Sequence, residues 1–409
     1  GPNGSGKTTF TSVTYALLRA HRAAILEALR LFDRALDPER MLDPERPPVG
    51  SRGRAGEVVD VWQDAFTDHL DFELRRCCSP DLSMLGRRRR GGKNAGPRIS
   101  VFTERWALVF RLDGDVLGLE TSHSDYRRPR IQIPKEASRL STENKVRRQL
   151  RGDLPRRAIY FPAGRSGVVQ THSALSALMA GALSGGYFKD ATIGTIPGAT
   201  ADFMQLVAQL PARRRSRRAA KVAQRIEGEL LGGHVRLDTS RDAREFLFQP
   251  TGQDSEWPIE NMATSVAELS PLILYLRHVA REGDAILIDE PEAHLHPESQ
   301  VALASALVQL AGILPPVITA THSEFLVSAL NNQLLRQAGR PRKAMEASEG
   351  LSVYGFRFHD SDHGLGVDVA PIQVKPTEGF EVEQFSEVAE RVFDESIALY
   401  NRLHVDKGK

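Results

Sequence analysis

The chain begins Gly1-Pro2-Asn3-Gly4-Ser5-Gly6-Lys7-Thr8-Thr9, a glycine-rich run closed by a lysine and two hydroxyl residues. No other stretch narrows the possible folds as much. The spacing G-x-x-x-x-G-K-T makes a tight turn whose backbone N–H groups converge on one anion, while Lys7 reaches the outer phosphates of a triphosphate and Thr8 ligates Mg²⁺. Gly1, Asn3, Gly4, Ser5, Gly6, Lys7, Thr8 and Thr9 are therefore expected to hold ATP. The spacing after them predicts a helix from Thr8 through Leu29, whose N-terminal dipole adds to the same site. Such a loop is launched from a buried β-strand, which here would lie upstream of Gly1. With no initiator Met either, the chain reads as one lacking its true N-terminus.

At 409 residues, 41% hydrophobic and 26% charged, the sequence can bury a large core, as one elaborated domain or two lobes. Lys plus Arg number 54 against 52 Asp plus Glu, so net charge predicts no partner. The only cysteines, Cys77 and Cys78, are adjacent, which offers neither a disulfide framework nor zinc spacing and fits a reducing cytoplasm. No apolar run is long enough to span a membrane.

A helical segment is expected from Val58 to Leu74, and antiparallel strands at Ile99–Phe102, Trp106–Leu112 and Val116–Leu119 form a β-rich subdomain. Ala158–Phe161 reads as a short strand, and Thr171 to about Gly232 as a mostly helical inserted lobe. Ala285–Ile288 and Val317–Ala320, separated by a helix from about Glu298 to Leu314, have the βαβ pattern of a buried parallel sheet. Beyond them the sequence predicts a helix from Ser323 to Gln337, a hairpin around Asp360 to Gly364, and an amphipathic helix from Val382 to Leu403. This divides the chain into 1–165, 166–255 and 256–409.

Ile286-Leu287-Ile288-Asp289-Glu290-Pro291 is a hydrophobic strand delivering two carboxylates at its end, the form of a Walker B motif. Asp289 is expected to hold Mg²⁺ and Glu290 to polarise the attacking water. His322, in Thr321-His322-Ser323 after the next strand, is placed to sense the γ-phosphate. His294 and His296 stand two residues apart, do not share a helical face, and are not expected to bind zinc. Thr264 or Ser265 opens an apolar-periodic helix, either as its N-cap or as part of an anion site for a nucleotide held by a second subunit.

Together these motifs resemble the ABC-type AAA-family ATPases of the RecF, SMC and OLD group. The resemblance implies an α/β P-loop NTPase with an ABC-type head, whose two copies sandwich two ATPs, with Lys7 and Thr8 of one facing Ser265 of the other and His294 to Pro297 between them. It also implies a Mg²⁺-sensing glutamine, for which Gln170 is the candidate, with Gln63 behind it. Thr-Ser-Val-Ala-Glu in place of the transporter pattern Leu-Ser-Gly-Gly-Gln argues against a transport ATPase. Tyr160 to Gly167 resembles a segment of stand-alone members, several of which serve in phage defence or DNA repair; Arg165 within it is open between a nucleotide or partner contact and a structural turn.

Arg87 to Arg90 and Arg213 to Arg218 are basic runs of the kind that neutralise DNA phosphates, or that merely form solvated faces. Asp360-Ser361-Asp362 reads as a turn and not as a nuclease metal site. The expected function is Mg²⁺-dependent ATP hydrolysis by a dimerising head, coupled to DNA or to a separate effector such as a nuclease. The alternative is a nucleotide-gated clamp with little turnover.

Overall fold

The computed structural model describes residues 7–35, 51–78, 82, 98–113, 115–131, 139–171, 196–211, 217–238, 245–336, 350–361 and 364–405. Residues 1–6 of the glycine-rich loop, the basic run 87–90 and residues 213–216 of the second basic run lie outside them. The described residues fall into two compact units: Thr8–His294 with Leu310–Ala320, and the remainder.

In the larger unit, helix α1 (Lys7–Ala35) runs six residues past its expected end, to Ala35. Ala16, Ala20, Ala24 and Ala28 recur every fourth residue and are fully buried, drawing a stripe of small side chains along one face. Helix α2 (Ser51–Cys77) contributes Trp62, Phe66 and Leu70 to the same core. Strands β1 (Arg98–Phe102), β2 (Ala107–Asp113) and β3 (Val116–Leu119) form the antiparallel meander expected of the β-rich subdomain. Between them the rings of His21, Trp62, Phe66 and Trp106 pack with centroids 5.1 to 5.9 Å apart. Burial of each large side chain is worth about 2–3 kcal/mol. Trp106 Nε1 donates to Leu150 O at 2.9 Å, which satisfies its one polar atom without water.

Helix α3 (Arg139–Arg151) leads into β4 (Arg157–Phe161), the first strand of a parallel sheet. Helices α4 (Arg165–Gln170), α5 (Gly198–Ala208) and α6 (Arg217–Ile226) follow, the last prolonged by a π-helical turn, Glu227–Leu231. Gly232 then ends the run at φ +61. Residues 233–258, to which the sequence reading assigns no strand, form a second antiparallel sheet of β5 (Gly233–Asp238), β6 (Glu245–Pro250) and β7 (Trp257–Pro258). Only glycine fits at 233, because a Cβ there would lie 2.4 Å from the Phe248 ring and 2.6 Å from Gln249 O.

Helix α7 (Thr264–His278) is buried without interruption from Val266 to His278, so the charges it carries, Glu268 and Arg277, need buried partners. Its last turn is fixed by a buried pair: Arg277 Nη2 lies 2.6 Å from Glu227 Oε2, and Glu227 Oε1 accepts from Val235 N at 2.7 Å. Strand β8 (Asp284–Asp289) comes next, with all six residues buried. It lies between β4 and β9 (Val317–Ala320), parallel to both, with Ile159 opposite Ile286 and Asp289 opposite Ala320. A central strand buried on both faces has no polar alternation to show, which is why it reads as a continuous apolar run.

Helix α8 (Pro297–Ala311) joins β8 to β9, and most of it belongs to the smaller unit. That unit also holds Lys7, α9 (Glu324–Leu335), the hairpin β10 (Val353–Ser361) and β11 (Gly364–Ile372), and α10 (Glu383–Val405). Ser323 caps α9 by accepting from Leu326 N at 3.0 Å. The hairpin ladder runs to Ser361 opposite Gly364 and sets Asp360 opposite Leu365. Asp360 and Ser361 are thus strand residues and not part of the turn. Among the described residues no helix is long and apolar enough to cross a membrane.

Candidate nucleotide site

The carboxyl end of β8 presents Asp289, only 1% exposed. Its Oδ1 lies 2.8 Å from Thr11 Oγ1 and its Oδ2 accepts from the Tyr160 hydroxyl at 2.6 Å. The Thr8 side chain hydrogen-bonds to it as well. The Thr11 hydroxyl stands between Asp289 and Thr8 O, 2.9 Å away, and its single proton serves one of them. Burial pushes the Asp289 carboxyl up from the ordinary aspartate range, and the hydroxyls of Tyr160, Thr11 and Thr8 oppose that rise. Tyr160 is raised in turn by burial and by the Asp289 charge. Thr8 and Asp289, the two residues the sequence assigns to Mg²⁺, are therefore brought together across 281 positions of chain. The surrounding groups are all oxygens, the donor set a hard divalent cation prefers.

Glu290 sits at φ +46, in the left-handed region that an L-residue with a side chain occupies at a cost of about 1–2 kcal/mol. Its N–H continues the sheet by donating to Ala320 O at 2.8 Å, and its carbonyl accepts from Ala293 N at 3.0 Å. The chain therefore turns sharply at the one residue whose carboxylate follows Asp289, and strain of this kind concentrates at functional positions. His294, at φ +59, closes the same turn.

Arg165, open in the sequence between a nucleotide contact and a turn residue, is 1% exposed and holds backbone. Its Nη1 donates to Asp289 O at 2.9 Å and to Pro162 O at 3.1 Å, its Nη2 approaches Glu290 O at 3.5 Å, and its Nε donates to Glu268 O at 3.0 Å. The counter-charge is Glu268 of α7, fully buried, with Oε1 3.2 Å from Arg165 Nη2 and Oε2 accepting from Ser166 N at 2.9 Å. The Oε1 approach is ionic without hydrogen-bond alignment, since that atom makes no hydrogen bond. Burial pulls the Arg165 guanidinium below its usual range, and Glu268 is the largest influence resisting that. One guanidinium thus ties α7 to the backbone that carries the carboxylates of Asp289 and Glu290.

The N-cap of α7 is Ala263, with no side-chain cap. Thr264 and Ser265 are therefore not caps but the first two helical residues, half-buried; the Val266 N–H already donates to Ala263 O at 2.9 Å, and the N–H groups of these two precede any intrahelical acceptor.

In the smaller unit, Lys7 Nζ lies 3.0 Å from His322 Nδ1 and 3.2 Å from Thr321 O. An ammonium only donates, so Nδ1 is the acceptor and the neutral ring carries its proton on Nε2. Ser323 Oγ is hydrogen-bonded to Gln300 Oε1, and Ser323 N donates to Thr321 Oγ1 at 2.9 Å, which stiffens the backbone on either side of the histidine. Gln63 is 5% exposed and donates to the Tyr126 hydroxyl at 2.8 Å, so its amide is committed within the core. Gln170 ends α4, half-buried, five residues after Arg165. His296 Nδ1 accepts from Glu298 N at 3.4 Å at the start of α8.

Three residues here escaped the sequence reading: Thr11, Tyr160 as a hydroxyl donor, and Glu268. Thr11 was findable, because i and i+3 share a helical face with Thr8. A glutamate inside the apolar run after Thr264 is the trace left by the buried pair.

An AAA ATPase domain family matches residues 216–327, which span Thr264, Asp289, Glu290 and His322. No curated protein matches the chain at a significant level. Among solved structures, one from work on ATP-driven dimerization and DNA-stimulated activation of SMC ATPases is 15% identical, covering 47% of this chain and 96% of that one at a TM-score of 0.28. An Smc head bound to the C-terminal winged-helix domain of ScpA is 13% identical over 65% and 68% of the two chains, with a TM-score of 0.32. The Pyrococcus furiosus Smc head with an extended coiled coil, bound to the C-terminal domain of ScpA, is 12% identical over 70% and 75%, with a TM-score of 0.31. Superpositions this loose carry no argument by themselves. The fold class rests on the parallel β4-β8-β9 sheet with its terminal carboxylates and on the domain match, and it is that of an α/β P-loop NTPase.

Proposed function

We propose that the chain binds ATP with Mg²⁺ and hydrolyses it, and that the observation carrying this reading is Asp289, buried among the hydroxyls of Thr8, Thr11 and Tyr160 with Glu290 directly after it. Residues 1–9 hold the phosphates, Lys7 at the outer ones. Thr8 and Asp289 would hold the Mg²⁺, which when bound neutralises charge on the β- and γ-phosphate oxygens. Glu290 accepts a hydrogen bond from the water that attacks the γ-phosphorus; the bond to the β–γ bridging oxygen breaks, leaving ADP and inorganic phosphate. His322, with its proton on Nε2, donates to the γ-phosphate from that atom.

The first turn of α7, with Ser265, offers its N–H groups to a nucleotide held by a second copy of the chain, so that ATP fastens a dimer. Arg165 and Glu268 link that turn to the Glu290 backbone, giving a route from dimer closure to the catalytic carboxylate. The cycle is passed to DNA, through Arg87–Arg90 and Arg213–Arg218, or to a separately encoded effector such as a nuclease, in genome maintenance or phage defence.

The test is steady-state ATP hydrolysis with and without duplex DNA, beside Glu290→Gln, with mass measured in solution. Turnover that the substitution removes, together with an ATP-dependent dimer trapped by it, is the expected result. Turnover that survives Glu290→Gln rejects the assignment, and its indifference to DNA moves the search to a protein effector.

A further inference from the structure

The amino ends of β4 and β8, at the opposite edge of the sheet from Asp289, open on a cavity of about 520 Å³. Arg22 of α1, Arg147, Arg148 and Arg151 of α3, Arg156 and Arg157 at the start of β4, and Arg281 line it, against two carboxylates among the described residues, Glu282 and Asp284. Arg157 is paired with Asp284 at 2.6 Å and Arg147 with Glu143 at 2.7 Å. Arg148, Arg151 and Arg156 have no carboxylate at ion-pair distance among the described residues, and Arg151 Nε is buried with no hydrogen-bond partner.

This concentration of like charge opposes folding, because ordinary surfaces intersperse the two signs. Burial and then the neighbouring Arg156 and Arg148 pull the Arg151 guanidinium below its usual range; burial and then Arg157 and Arg19 do the same to Arg22. A cleft of one sign with low-dielectric walls focuses its field, and the guanidinium fork matches phosphoryl oxygens two at a time. Among the described residues the lining offers no aromatic face except the buried His21, and so no platform on which bases stack. Its arginines converge on one volume from two helices and two loops, whereas an extended nucleic-acid backbone is tracked by a groove.

We propose that this cleft binds a compact polyphosphorylated small molecule, with several phosphoryl groups clustered on one scaffold, at a site separate from the nucleotide.

Inositol hexakisphosphate, titrated calorimetrically into the full chain without ATP or Mg²⁺, serves as the probe. Arg148→Glu with Arg156→Glu reverses two exposed side chains outside the ATPase machinery, and Arg105→Glu with Arg130→Glu, also exposed and outside the lining, controls for net charge. The wild type and the control should bind one equivalent. The double variant should bind at least about 100-fold more weakly, one decade for each arginine that no longer pairs with a phosphate. Without ligand the double variant should melt no lower than wild type, since repulsion has been relieved. Failure of the probe to bind, or equal binding by the double variant, overturns the proposal. So does a 20-nucleotide single strand that binds through the same arginines and is not displaced by the probe, an outcome that would make the cleft a nucleic-acid surface.

Discussion

Arg165→Met should be the most damaging single substitution away from the carboxylates themselves. The side chain lies within a fully closed environment, gives three backbone carbonyls a donor at 2.9 to 3.1 Å and faces the buried charge of Glu268 at 3.2 Å. Removing one partner of such a pair leaves the other charged and unsolvated, a loss of about 3–5 kcal/mol, or a fall in melting temperature on the order of 5–10 °C. Glu268→Leu alone should cost about as much for the same reason. Made together, the two should cost less than their sum by roughly 2–3 kcal/mol, because no orphaned charge remains. As a comparison, Arg236→Ala breaks the Arg236–Glu256 pair, whose arginine is half exposed, and should change stability by less than about 1 kcal/mol. Thermal and urea melts of the cycle at pH 7, with ATP turnover measured on each variant, supply the numbers. Strict additivity of the two substitutions, or an Arg165→Met protein as stable as wild type, would refute the reasoning.

Glu290→Gly should be more stable than Glu290→Ala by about 1 kcal/mol, since glycine occupies φ +46 without strain, while both lose turnover; equal urea midpoints would deny the strain. His21 titrates at about 4, held there by burial and by the Arg151 charge against the Leu150 carbonyl. The unfolded chain takes up a proton near pH 6.5 that the folded chain refuses, so stability present above that pH falls by ~1.4 kcal/mol per unit as pH drops, about 3 kcal/mol in all by pH 4. His21→Phe should flatten that slope, and an unchanged slope in melts from pH 7 to pH 4 assigns it elsewhere. Tyr160→Phe removes a donor from the buried Asp289 and should cost about 1–2 kcal/mol with weaker Mg²⁺-dependent turnover; a shift in melting without any change in Mg²⁺ dependence would make Tyr160 purely structural.

Strands β8 and β9 were legible as a parallel pair because their centres are short apolar runs separated by a helix with its own period, and Asp289 with Glu290 stood out as carboxylates at a strand end. Strands β5 and β6 were not seen, although Val235 and Leu237 alternate with His234 and Arg236 as a half-buried strand should. The helical lobe is read as ending at about Gly232, and in space Gly232 and Gly233 are also the tight entry to a sheet. Capping preference pointed to Thr264 or Ser265, yet the helix starts one residue earlier from Ala263 with no oxygen to cap it. Arg165 stood out in the sequence, but its burial and its partner did not, and the arginines of the cleft were beyond a linear reading. Whether an arginine is buried, and which others it meets, is decided by residues 100 or more positions away, such as Glu268 for Arg165 and Arg281 for Arg156.

Arg165 gives its hydrogen bonds to the carbonyl oxygens of residues 289 and 290, while their carboxylates act on it only as nearby charge. Scaffold and chemistry are thus written on separate atoms of the same two residues. The Glu290 carboxylate can be exchanged for an amide without removing any of the hydrogen bonds that Arg165 makes to this backbone. A lineage carrying this fold is free to drift from a hydrolysing machine to a silent nucleotide holder, and back, while its architecture stays where it was.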